Sequence, residues 1–122
     1  METHDPTSPY YDLESRTEAF AKRVRRFTKR LPRTVENLED IKQLTRASGS
    51  VAANYIEANE ALSKKDFRMR VKISRKESKE SRLFIRLVDT NNNSELEKER
   101  TWLDGESTEL MNIFGAILRK SE

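Results

Sequence analysis

An all-α fold, an antiparallel up-down-up-down four-helix bundle, is what this sequence predicts, and three observations carry the prediction. Apolar residues at 34% against charged residues at 37% suit narrow helices with wide wet faces better than a sheet covered on both sides. Apolar positions recur at alternating spacings of three and four through successive stretches of the chain. Only three Gly and three Pro interrupt 122 residues, a length that fits one hydrophobic core and hence one domain. The bundle is expected over residues 13–122, behind an N-terminal arm of residues 1–12 where Pro6 and Pro9 stand among Asp, Thr and Ser without periodicity.

The first helix starts near Leu13, with Leu13, Thr17, Phe20, Val24, Phe27 and Leu31 along one side, and Pro32 ends it. The second opens near Thr34, where Glu36 and Glu39 favour the positive end of the helix dipole. It runs past Leu38, Ile41, Leu44, Ser48, Val51, Tyr55 and Ile56. Gly49 inside it costs roughly 1 kcal/mol against Ala, so the small-residue run Ala47 to Ala53 is expected to let another backbone come close. Ser63 reads as an N-cap with Asp66 three residues on, so the third helix runs from about Lys64 to Val88. Its seam of Phe67, Val71, Ser74, Ser78, Ser81, Ile85 and Val88 is thin, with Ile73, Phe84 and Leu87 beside it. Asp89 to Ser94 is a loop rich in Asn, and the fourth helix follows to Arg119, with Leu96, Leu103, Leu110, Ile113, Phe114, Ile117 and Leu118 inward and Trp102 beside that line. Gly105 predicts a bend or close packing there. Short connections make neighbouring helices antiparallel.

The net charge of +3 hides a partition. Arg16 to Arg33 carries +7 and Lys64 to Arg86 carries +7, whereas residues 36–60 carry −3 and residues 89–122 carry −4. On the third helix Arg68, Lys72, Arg75, Lys79, Arg82 and Arg86 repeat at spacings of four and three, forming a stripe beside the seam. On the first, Arg23 and Arg30 recur with Arg16 every seven residues at the edge of the apolar face, and Arg26 adds to the same basic helix. Two readings follow. Basic helices beside acidic ones give ion pairs within and between subunits that fix pairing and orientation. Alternatively, a row of cations one helical turn apart (about 5.4 Å) neutralises phosphates and releases their counterions, without base specificity.

Reaction chemistry is not predicted. A di-iron carboxylate bundle requires Glu-x-x-His motifs, and the sole histidine is His4 in the arm. No cysteine is present for a disulfide, a thiolate metal site or a nucleophile, and no Gly-rich phosphate loop or dinucleotide fingerprint occurs. No catalytic residue, metal site or cofactor is therefore expected. Glu57, Glu77 and Glu80 read as partners for Arg46, Arg70 or Arg82, and Asn54, a poor helix former, reads as a buried hydrogen bond. Trp102, Phe67 and Phe84 read as core rather than as stacking platforms for bases. No stretch approaches the run of about 18 apolar residues that crosses a bilayer, and the N-terminus lacks signal-peptide regions, so a cytoplasmic protein away from membranes is expected.

The segment Leu44 to Ala58 followed by Ser63-Lys64-Lys65-Asp66-Phe67 resembles the four-helix bundle family of 23S ribosomal RNA intervening-sequence proteins. Ser50-Val51-x-Ala53-Asn54-x-x-Glu57 and the run Lys76 to Arg82 carry the resemblance, which extends from Leu13 to Arg119. It implies structural roles for Ser50, Asn54 and Glu57, a homopentameric ring, and no catalytic residues. Relatives of that family include the accessory variability proteins of diversity-generating retroelements, which implies RNA or DNA and a reverse transcriptase as partners. The chain departs at Ala52, where many members carry Pro or Gly. The function expected is a non-enzymatic oligomeric scaffold binding nucleic-acid backbone through its first and third helices. The alternative is a protein-interaction module whose charged faces serve assembly or docking of a partner protein.

Overall fold

The structure, a computed structural model, describes residues 12–122. The arm expected over residues 1–12 lies outside the described residues, apart from Asp12. Four helices follow one another: α1 (Leu13–Lys29), α2 (Val35–Asn59), α3 (Lys64–Leu87) and α4 (Ser94–Lys120). Each packs on the next, α1 closes the square against α4, and the diagonal pairs stay apart. Polar pairs across each seam give the directions. Arg16, Arg23 and Arg30 meet Glu106, Glu99 and Glu95, while Arg68, Arg82 and Arg86 meet Leu118, Thr108 and Asp104. The second number falls as the first rises, so both seams are antiparallel, and Arg46–Glu77 with Ser74–Val51 gives the same for α2 and α3.

Helix ends follow local chemistry. Thr34, Ser63 and Asn93 each accept from the backbone N–H three residues on, capping α2, α3 and α4. Asn91 and Asn92 turn the chain in the left-handed region (φ 55° and 59°), which Asn tolerates better than most side chains. α1 stops at Lys29, short of Pro32, and Leu31 is buried beyond its end. Arginine side chains bind the terminal carbonyls of two further helices: Arg100 donates to Val88 O (2.6 Å) after α3, and Arg68 to Leu118 O (2.6 Å) in α4.

The core runs the length of the bundle through Leu13, Phe20, Val24, Phe27, Leu44, Val51, Tyr55, Val71, Ile85, Leu103, Leu110 and Phe114, with Tyr55 tilted against Phe114 at 5.9 Å. Its α3 side is thin, as expected. Ser74, Ser78 and Ser81 are buried and donate to Val51 O, Ser74 O and Glu77 O, so their hydroxyls cost no unpaired burial. Leu38 and Ile56 in the apolar run of α2, and Leu87 beside the α3 seam, are exposed: Leu38 and Ile56 directly follow buried Asn37 and Tyr55, and Leu87 lies two residues past buried Ile85, so each points at least about 100° round its helix from the seam. The glycine expectations also change. Beside Gly49 stands the guanidinium of Arg25, 3.2 Å from where a Cβ would lie, and not another backbone. Around Gly105 there is open space and α4 continues without a break, so no close packing occurs there.

Asn37, which periodicity places on the core face without assigning it a role, ties two loops together. Its Nδ2 donates to Pro32 O (2.9 Å) and Asp89 O (2.8 Å), and its Oδ1 accepts from Asp89 N (2.8 Å). Asn37→Ala leaves these backbone groups unpaired at a buried position and is expected to cost about 2 kcal/mol, read as a lower urea midpoint at unchanged slope.

Candidate nucleic-acid interface

The basic rows of α1 and α3 flank α4 on opposite sides, and α4 answers each of them. Toward α1 it presents Glu95, Glu99, Glu106 and Glu109; toward α3 it presents Asp104 and Thr108. Arg16 grips Glu106 with both nitrogens (2.8 Å each), and Glu106 is buried. Arg23 grips Glu99 (2.6 and 3.0 Å) and lies over the Trp102 ring, 3.5 Å from its centroid. Trp102 is thus an exposed residue roofed by a guanidinium, not the core residue that was expected. Phe67 and Phe84 pack half-buried against the core. Arg30 reaches Glu95 (3.0 Å) with both side chains largely in water.

On α3 the stripe divides. Arg86 binds Asp104 through both nitrogens (2.5 and 3.0 Å), Arg82 donates to Thr108 Oγ1 (3.2 Å), and Arg68 donates to Leu118 O and Ser121 Oγ. The guanidinium of Arg86 holds the Asp104 carboxyl below the usual carboxylate range. Lys72, Arg75 and Lys79 are exposed and form no ion pair among the described residues, as does Arg26 on α1. Lys72, Arg75 and Lys79, together with Lys76, line a groove of about 400 Å³ between α3 and α4, whose floor includes Met111 and Leu118. A Cβ at buried Gly115 would stand 3.7 Å from Arg75 Nε and 3.4 Å from Arg119 Nη1, ordinary contact distances, so both guanidinium groups lie against this part of α4.

The motif residues sit on the α2–α3 seam. Asn54 Nδ2 donates to Ser50 O (3.0 Å) and Ser50 Oγ (2.9 Å), and Asn54 Oδ1 accepts from Arg70 (3.1 Å), so the expected hydrogen bonds exist at a half-buried position. Glu57 is exposed. Arg46 donates to Glu77 and Glu80 (2.8 Å each). Burial pushes the Glu77 carboxyl up, Glu80 adds to this and Arg46 opposes it; Glu80 is lowered by hydrogen bonds from the Glu77 carboxyl and from Arg46. A carboxyl raised in the folded state contributes stability below the ordinary carboxylate range and loses it as pH rises through the raised value. At neutral pH an ionised Glu77 therefore weighs against folding. Glu77→Gln keeps an acceptor for Arg46 and cannot ionise, so its Tm should exceed that of the wild type at pH 7 and match it near pH 3. Thermal unfolding at the two pH values reads this, and a lower Tm at pH 7 would mean that the Arg46 ion pair outweighs burial.

Among the described residues no group of three or more His, Cys, Asp or Glu is placed to hold a metal, and no helix is long and apolar enough to cross a membrane. The arrangement offers exposed cations on a rigid rod, which is chemistry for binding an anion. A family model described as "23S rRNA-intervening sequence protein" matches residues 12–115. A crystal structure of a protein with unknown function from the S23 ribosomal protein family of Bacteroides thetaiotaomicron superposes with a TM-score of 0.75 at 25% identity, covering 87% of this chain and 97% of that one. No curated protein matches the chain.

Proposed function

The chain belongs to the 23S rRNA-intervening sequence protein family, and from that premise we propose that it is a non-enzymatic, homo-oligomeric scaffold that binds the backbone of RNA or DNA through the α3–α4 groove. One observation carries the reading: Lys72, Arg75 and Lys79 keep exposed charges without ion-pair partners among the described residues, while Arg23, Arg30 and Arg86 are taken up by α4 carboxylates. Lysine and arginine one turn apart neutralise successive phosphates without reading bases. A cytoplasmic pentamer that presents nucleic acid to a reverse transcriptase is the fuller form of this proposal, and it comes from the family resemblance.

The rival keeps the architecture and gives the cations to a partner protein or a neighbouring copy. Filter binding of single-stranded RNA and of duplex DNA against salt separates the two. Backbone contacts require affinity at about 50 mM salt that falls steeply as salt rises. Binding that is absent at low salt, or insensitive to salt, assigns the charges to protein contacts.

A further inference from the structure

The α3–α4 groove joins cations to an apolar floor, and among the described residues no carboxylate lines it. Lys72, Arg75, Lys76 and Lys79 are exposed and stand within about 100° of arc over about 10.5 Å of one helix axis, so the row they form is short, straight and narrow. Across a space of about 400 Å³ it faces Met111 and Leu118 on α4. Phosphates account for the cations alone. The floor needs an apolar surface to cover it, and a methionine, unbranched and polarizable, adapts to the flat face or edge of a ring.

A duplex suits this geometry poorly. Each of its strands advances about 3.4 Å per base while the helix completes a turn in about 10 bp, so successive phosphates wind away from a straight row. Its second strand finds no matching row. Around the cations α3 exposes Met69 and Leu83, with Glu80 one turn from Lys76, and beyond α4 the α1 arginines Arg23 and Arg30 are held by Glu99 and Glu95. A duplex also keeps its bases stacked on one another, which leaves the floor uncovered. A single strand differs on each count: it bends to lay its phosphates along one row, and its splayed bases bring flat apolar faces to the protein without any demand on sequence.

We propose that the ligand of this groove is single-stranded nucleic acid, with its phosphates along the α3 cations and its bases against Met111 and Leu118. This rests on the backbone-binding function proposed above and names its substrate. Charge alone predicts the opposite order of affinity, because a phosphate neutralised on a duplex releases about 0.9 of a counterion against about 0.7 on a single strand. A preference for the single strand therefore reports contacts with bases.

Fluorescence anisotropy tests it with three RNA probes of one length: an unstructured pyrimidine strand, the same strand annealed to its complement, and an abasic strand. At about 50 mM salt, where backbone contacts are strong, the wild-type protein should bind the complete strand several-fold more tightly than the duplex, and the abasic strand should lose that advantage. Met111→Ser should weaken binding of the complete strand and leave duplex binding and the helical CD spectrum unchanged. The abasic comparison uses the wild-type protein, so it stands whether or not Met111→Ser folds. Equal affinity for strand and duplex, or an abasic strand bound as tightly as the complete one, overturns the proposal and leaves the groove a site for backbone alone. Binding of none of the three probes overturns this proposal and the nucleic-acid function together.

Discussion

Reversing Lys72, Arg75 and Lys79 to glutamate should abolish nucleic-acid binding while leaving the bundle folded. The three side chains are exposed and none closes an ion pair among the described residues, so their loss costs the fold little. If each neutralises one phosphate, they contribute a salt slope of about −2.7 on duplex DNA or about −2.1 on a single strand. On a duplex that slope alone amounts to about a 40-fold fall in affinity between 50 and 200 mM salt. The variant should lose at least this salt-dependent part, and the reversed charges should repel the remainder. Arg30→Ala is the matched control. Arg30 already meets Glu95, so removing it should leave the slope unchanged, without the fall of about 0.9 that the loss of one phosphate contact would bring. If Arg30→Ala reduced binding as much as the triple reversal did, the α1 row would be the contact surface and the groove would not.

The fold was legible because each element announced itself by more than one signal. Ser63 with Asp66, the Asn-rich loop that ends at Ser94, and the four-three line from Val71 to Val88 agreed about where α3 and α4 begin and which side of α3 is buried. The site was legible only in part. Periodicity places Arg23, Arg82 and Arg86 on a flank, but which neighbour stands beside that flank depends on how four rods are arranged, and this is not written in any one helix. Glu95, Glu99 and Asp104 read as an acidic fourth helix, and only the square packing shows that they face the rows at matching heights. For the same reason Gly49 suggested a close backbone when its neighbour is the flexible Arg25 side chain. Small size shows that something approaches, not what approaches.

The ion pairs of the α1 row hold α1 on α4, and their contributions should differ sharply along the seam. Arg16→Ala leaves the Glu106 carboxylate, whose side chain is 9% exposed, without its bidentate partner, and the expected cost is about 3 kcal/mol. In a chain of this size that lowers Tm by on the order of 10 °C. Arg30→Ala removes a pair whose side chains are 54% and 75% exposed and should cost below about 1 kcal/mol. The difference is desolvation: an orphaned buried charge is costly, whereas an orphaned exposed one returns to water. It follows that Arg16→Met/Glu106→Leu, which removes both charges and keeps the volume, should recover most of the loss or exceed wild-type stability. Urea unfolding of the single and double variants decides it. A double variant as unstable as Arg16→Ala would show that the pair stabilises the α1–α4 seam by its attraction and not merely by satisfying a buried carboxylate.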